Sequence, residues 1–397
     1  MRKSFLILIS FSMVLTIHAQ KKNVSKALSK INSGKLAEAY ELLQPALENP
    51  ESKDDSKTWY ALGLLYQKAE MLGDQSILSK TDSALKVAYD NFNKARKLDE
   101  KGERKQDISN SLKQMYDFCI NQGNANFTRG NYAKASEYFG FSLTVNNDPD
   151  FPRQHDTIVA LLNYYTGLSA YYGALQEKEN NEKRMELFKR AEKYYEDALK
   201  MNYKDDFLYR SLHYSYLFTG DTTSAEKVIL KGFENYPDSV QVIIDVVNLY
   251  ISMHKYDKVL LYLDPAIAKM PGNAQLVYTK AQMYDQMNKW EEAEQNYKKA
   301  IEMKPDYYEA YYNLGVLYYN WATDFNNQAA TTDLKQQEKY AMLINKRDEY
   351  YKKSLEPFKK AYEIKKSAEV LQNLKRVYNK LKMKKELEEV NQLLEKM

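Results

Sequence analysis

Residues 311–318 read YYNLGVLY, and residues 59–66 read WYALGLLY. Both place an aromatic residue, then Leu-Gly after two positions, then Tyr after two more. A lone glycine among large apolar residues at helical spacing marks a place where a second helix comes close. Just before 311–318, Ala293, Tyr297 and Ala300 lead to Pro305, and Pro237, Pro271 and Pro305 stand 34 residues apart. A proline at that interval stops one helix before the next begins. The chain therefore reads as short helices in a regular series.

These residues resemble the tetratricopeptide repeat (TPR), a 34-residue helix–turn–helix unit that stacks into a solenoid. Three windows keep the period without a gap: 206–239, 240–273 and 274–307. In the frame of the resemblance, small residues fall at position 8 (Gly63, Gly123, Gly167, Ala281, Gly315). Others fall at position 20 (Ala39, Ala88, Ala135, Ala191, Ala225, Ala293). Large residues at positions 4, 11 and 24 fill the space between helices, and stacking completes a core that no single pair can build. The expected fold is all-α, a right-handed α-solenoid of about nine TPR-like helix–turn–helix pairs. Its expected segments are 20–205 with irregular repeats, 206–307 with three regular ones, and 308–397 with a long insert and capping helices.

Three pairs exceed the period, all at the turn between their two helices. Trp59 to Ala88 carries 13 extra positions, Gly167 to Ala191 carries 12, and Gly315 to Ser354 carries 27. Extended hairpins are expected in repeats 2, 4 and 8. The largest is expected to turn over at Ala329–Asp333, with Thr332 or Asp333 capping its second helix. Long insertions in compact proteins often carry function. This one, with Trp321, Phe325, Tyr340, Met342, Leu343 and Ile344, is expected to form one contact surface with Tyr312 and Tyr319.

Composition agrees with long helices and few turns, since there are only 13 Gly and 9 Pro. Basic residues number 58 and acidic ones 54, a net +4, which is far from the excess of a nucleic-acid binder. Met1-Arg2-Lys3, the apolar run Phe5–Ile17 and His18-Ala19-Gln20 have the three-part form of a secretory signal peptide. The expectation is a signal at 1–19, cleavage near Ala19 and a periplasmic mature chain. The apolar run is too short to span a bilayer comfortably. The only cysteine, Cys119, reads as a buried helix residue.

The resemblance implies binding rather than catalysis, with a protein or peptide partner. It implies that positions 2, 5, 9, 12 and 13 of each first helix face an inner groove. Tyr60, Tyr164, Tyr171, Tyr214, Tyr278, Tyr312 and Tyr319 occupy such positions. Tyrosine gives broad contact area and a hydroxyl at low entropy cost, so these rings are candidate partner contacts. The alternative is that they pack against neighbouring helices. The family's carboxylate clamp needs Lys at position 5 with Asn at position 9, a pair absent from every repeat. No HExxH, GxSxG, GxxxxGK[ST] or CxxC pattern occurs, so no catalytic or metal residue and no cofactor are expected. His213 stands at position 8 and reads as an interhelix histidine. Lys375, Arg376, Lys380, Lys382, Lys384 and Lys385 form a run of cations without an anion. This is either a solvated end of the array or a patch for peripheral contact with an anionic surface. The leading function is an exported, non-enzymatic scaffold for protein–protein interaction in cell-envelope assembly or secretion. The alternative is a carbohydrate or envelope-polysaccharide accessory protein that uses the tyrosines as stacking platforms.

Overall fold

Every turn that the period predicts between two short helices returns in the backbone as one residue in the left-handed region. The computed structural model describes residues 22–333 and 335–396. Gly34, Gly130 and Gly220 have φ of 74°, 79° and 88°, and His254, Asn288 and Lys382 have 54°, 55° and 57°. All six occupy position 15 of the frame, one repeat after another. The three pairs with extra residues have no such turn at position 15, because helix continues through it. The regular turn thus has one required backbone geometry, which three repeats meet with glycine and three with a residue that tolerates it less well.

The described residues divide into two compact units, with the boundary between Ala225 and Glu226. In the first unit, α1 (22–32) pairs with α2 (Leu36–Glu48), and a single turn, α3 (Pro50–Lys53), follows. Then α4 (Ser56–Leu72), a second single turn α5 (Gln75–Leu78) and α6 (Ala84–Leu98) form the next pair. The third pair is α7 (Lys105–Thr128) with α8 (Tyr132–Asn146), and the fourth is α9 (Asp156–Gln176) with α10 (Asn181–Lys200). Next come α11 (Asp206–Thr219) and α12 (Thr222–Asn235), with the unit boundary inside α12. The second unit continues with α13 (Val240–Ser252) and α14 (Tyr256–Lys269), then α15 (Ala274–Gln286) and α16 (Trp290–Met303). The long pair α17 (Tyr308–Ala330) and α18 (Gln337–Ile364) follows, and α19 (Ala368–Lys380) with α20 (Lys384–Glu395) comes last.

Starts and stops follow local chemistry. Asp55, Asn180 and Asp205 accept from backbone N–H groups of the first turns of α4, α10 and α11 at 2.9–3.0 Å. Helices α12, α14 and α16 each end two residues before Pro237, Pro271 or Pro305. The small position-8 residues face large rings on the partner helix. A Cβ at Gly63 would stand 2.6 Å from the Phe92 ring, one at Gly167 2.9 Å from Tyr195, and one at Gly315 2.6 Å from Phe358. Gly123 stands closer still to Phe139. These glycines are the clearance that lets each ring fill the space between paired helices.

The three insertions take two forms. In the fourth and eighth pairs both helices lengthen. In the second, the extra residues instead form α5 and its flanking turns, which bury Ile77 against the core, so this insertion is a tucked turn rather than a longer hairpin. Four turn-forming residues, Gly73, Asp74, Ser79 and Ser83, end or start helices there. At the tip of the eighth pair, α18 starts at Gln337 without a side-chain cap. Asp333 accepts from the Lys335 N–H at 2.9 Å, and the Thr332 hydroxyl donates back to the Gln328 carbonyl at 2.8 Å. Neither caps α18, whose N-cap position is Gln336.

Candidate functional site

The seven tyrosines differ in exposure. Tyr164, Tyr171 and Tyr278 are buried. The Tyr164 ring stacks on Tyr203 at 4.7 Å, and Tyr171 sits edge-on to Phe188 at 6.1 Å. Tyr278 packs on Tyr307 at 5.0 Å and its hydroxyl accepts from Asn313 at 2.6 Å. Burial, then the neighbouring Tyr307 and Glu309, pushes the Tyr278 phenol up to about 12. The other four are half-buried. Tyr60 leans on Phe92 with the Arg104 guanidinium 5.9 Å from its ring, and Tyr214 is edge-on to His213. Tyr312 stacks on Tyr308, donates to Glu369 at 2.6 Å and accepts from Asn373 at 3.2 Å. Both polar partners belong to α19, so the hydroxyl is already used to join two pairs. Tyr319 rests on Tyr351 at 5.3 Å.

The long hairpin seals itself with the rings that its sequence offered for contact. Trp321 packs on Tyr350 at 4.3 Å and edge-on to Trp290 at 5.4 Å, and Phe325 meets the same Tyr350 at 5.5 Å. Leu343 is buried, while Tyr340 and Met342 are exposed. Tyr340 lies eleven residues along α18 from Tyr351, about 16 Å of helix. His213 is buried, with Nδ1 2.9 Å from the Ala225 carbonyl oxygen, an interhelix contact that replaces the usual small residue. Cys119 is buried in α7, and burial pushes its thiol up.

An apolar concavity lies between first helices of adjacent pairs, α7 and α9. It encloses about 510 Å³. Its α9 wall is Ile158, Leu161 and Tyr165, which are 46%, 41% and 39% exposed. Three large apolar side chains at i, i+3 and i+7 form a stripe, which the described residues of the unit leave partly exposed. The floor is Phe139, whose ring is 6.3 Å from that of Tyr165, with Ile120 beside it. Asp117, Asn121 and Asn124 project from the exposed face of α7 along the opposite wall. The side-chain amides of Asn121 and Asn124 hydrogen-bond no described residue. An apolar stripe facing free amides suits an extended or helical peptide, whose side chains enter the stripe while its backbone meets the amides.

Of its lining, Asp117, Ile120, Asn124 and Leu161 hold positions of the expected inner face, while Ile158, Tyr165 and Asn121 do not, and none of the seven candidate tyrosines lines it. The signal was present in α9, which is apolar nearly all round from Val159 to Tyr172. Such a helix needs cover on every side.

The six cations of the terminal run are all exposed on α19, α20 and their turn. Among the described residues none of them forms an ion pair, and Arg376 reaches only Asn373 at 3.4 Å. No three His, Cys, Asp or Glu side chains gather as a metal set among the described residues. No described helix is long and apolar enough to cross a membrane. The signal-like segment lies outside the described residues.

Residues 281–320 match the TPR repeat. That match covers the end of α15, all of α16 and the first half of α17. Among solved structures, the chain is similar to MamA, with TM-score 0.37 and 16% identity over 53% of this chain and 94% of that one. It is similar to YrrB, described as a TPR protein with an unusual peptide-binding site, with TM-score 0.38 and 17% identity over 53% and 96%. A TPR repeats protein from Bacteroides fragilis NCTC 9343 gives 0.31 and 22% over 66% and 98%. At scores and identities this low, these likenesses say nothing of what this chain binds. No curated protein matched it. The architecture is an all-α array of TPR-like helix pairs.

Proposed function

We propose that this chain is a non-enzymatic scaffold that holds an apolar segment of a protein partner in the groove between α7 and α9. The observation that supports this reading is the uncovered stripe Ile158–Leu161–Tyr165 opposite the free amides of Asn121 and Asn124. Covering three apolar side chains that are now roughly half exposed is worth about 1 kcal/mol each. The sum of about 3 kcal/mol corresponds to about a hundredfold in affinity. Leu72 and Leu261, by contrast, are exposed without another large exposed apolar residue within seven positions. The setting we propose is the periplasm, on the strength of the basic start and the apolar run Phe5–Ile17, with a role in envelope assembly or secretion.

The test is photocrosslinking in the native cells, with a benzophenone amino acid at Leu161 and, as control, at the more exposed Leu261 of α14. The expected result is discrete crosslinked protein species from position 161, lost when Ile158→Asp is added, and none from 261. Equal labelling from both positions would place binding elsewhere.

A further inference from the structure

A second concavity, independent of the α7–α9 groove, lies wholly within the second unit between α15, α16 and α17. It encloses about 430 Å³ and has mostly polar walls. Gln282 and Gln286 of α15, Asn288 of the turn, and Asn313 and Asn320 of α17 surround a single ionisable acid, Asp285. The carboxylate is half-buried, and the only described hydrogen-bond partner is the Tyr297 hydroxyl at 3.4 Å. No described lysine or arginine forms an ion pair with it. The nearest lysine of the same helix, Lys280, is committed to Asp264 at 2.5 Å.

Asp285 also sits in the last turn of α15, where the negative end of the helix dipole disfavours an anion. Asn288 turns the chain there with φ 55°, a left-handed geometry that asparagine tolerates. A carboxylate kept half out of water, at the wrong end of a helix and without a counter-ion, costs stability. Burial accordingly holds its proton affinity above the ordinary carboxylate value. The surrounding amide oxygens add acceptors for N–H donors, and no described lysine or arginine hydrogen-bonds to them.

We infer that this pocket receives one cationic side chain, a lysine or arginine, of a bound protein partner. The ammonium or guanidinium group would pair with Asp285 and donate its remaining N–H groups to the amide oxygens. A neutral sugar is the weaker candidate, because the pocket lacks an open ring face. Tyr297 is 1% exposed, and Trp290 is engaged edge-on by Trp321.

The experiment is titration of the full-length protein with N-acetyl-arginine amide, N-acetyl-lysine amide, N-acetyl-norleucine amide and maltose. The readout is the side-chain amide NMR signals of Asn and Gln, assigned by single substitutions. Saturable shifts at Gln282, Asn313 and Asn320 are expected with one or both cations, and none with the neutral probes. Asp285→Asn is expected to weaken the cation's binding by about tenfold or more. Shifts of equal size with norleucine amide or maltose, cation binding unchanged in Asp285→Asn, or no saturable shift with either cation would overturn the assignment. The two cations compared tell which side chain is preferred.

Discussion

Gly315→Ala isolates the clearance on which each helix pair depends. The added Cβ would lie 2.6, 2.7 and 2.9 Å from Cδ1, Cε1 and Cγ of Phe358. Carbon atoms in contact prefer about 3.5–4.0 Å, so the ring or the helix must yield by about 1 Å. The ring is 1% exposed and has Tyr312 edge-on to it, which leaves it nowhere to go. Overpacking of this kind costs about 1–3 kcal/mol, while alanine regains about 1 kcal/mol of helix propensity. The net expectation is destabilisation of about 0–2 kcal/mol. The decisive measurement is the same substitution in a Phe358→Ala background. With the ring gone, Gly315→Ala should stabilise by about 1 kcal/mol, which gives a coupling of about 2 kcal/mol. Repeat arrays need not unfold in one step, so local opening is the proper readout. Hydrogen exchange of the α17 and α18 amides supplies it. A second readout is urea melting followed by Trp290 and Trp321 in a Trp59→Phe chain. Gly315→Ala stabilising by the same amount in both backgrounds would refute the close approach of these helices.

Two further outcomes follow from the backbone and from the buried acid. Lys382 holds a left-handed position that three other repeats give to glycine, so Lys382→Gly should slow hydrogen exchange in α19 and α20 by a free energy of about 1 kcal/mol. No change would mean the turn is not strained. Burial raises the folded Asp285 proton affinity, with the Tyr297 hydroxyl pulling partly the other way. The folded chain therefore binds this proton more tightly than the unfolded chain, whose carboxyl titrates near its usual value of about 3.9. The associated stability is full below that value and is lost as pH rises through the folded value. Asp285→Asn should therefore melt higher than the parent at neutral pH and converge with it in acid. A constant offset across pH would contradict this account.

Much of the architecture is local information, legible along the chain. Glycine at position 8 and a ring at position 24 recur because a helix pair can close only where one side is small and the other large. The prolines recur because a helix cannot continue through them. Spacing alone therefore places Gly315 against Phe358 and ends α16 before Pro305. Spacing also marks where extra residues enter. It does not tell whether those residues lengthen two helices, as in the eighth pair, or fold into a tucked turn, as α5 does around Ile77. Exposure is not local at all. Tyr164 and Tyr278 have the same frame position as Tyr312, yet the first two are covered by Tyr203 and Tyr307, while the third lends its hydroxyl to Glu369. Ile158, Leu161 and Tyr165 look like ordinary core residues in the sequence and stay uncovered because α7 presents Asp117, Asn121 and Asn124 opposite them. Asp285 reads as one carboxylate among many until the fold leaves it without an ion pair among the described residues. Periodicity determines which residues of a helix can face a neighbour. What that neighbour offers comes from another part of the chain, and only the packed structure decides it.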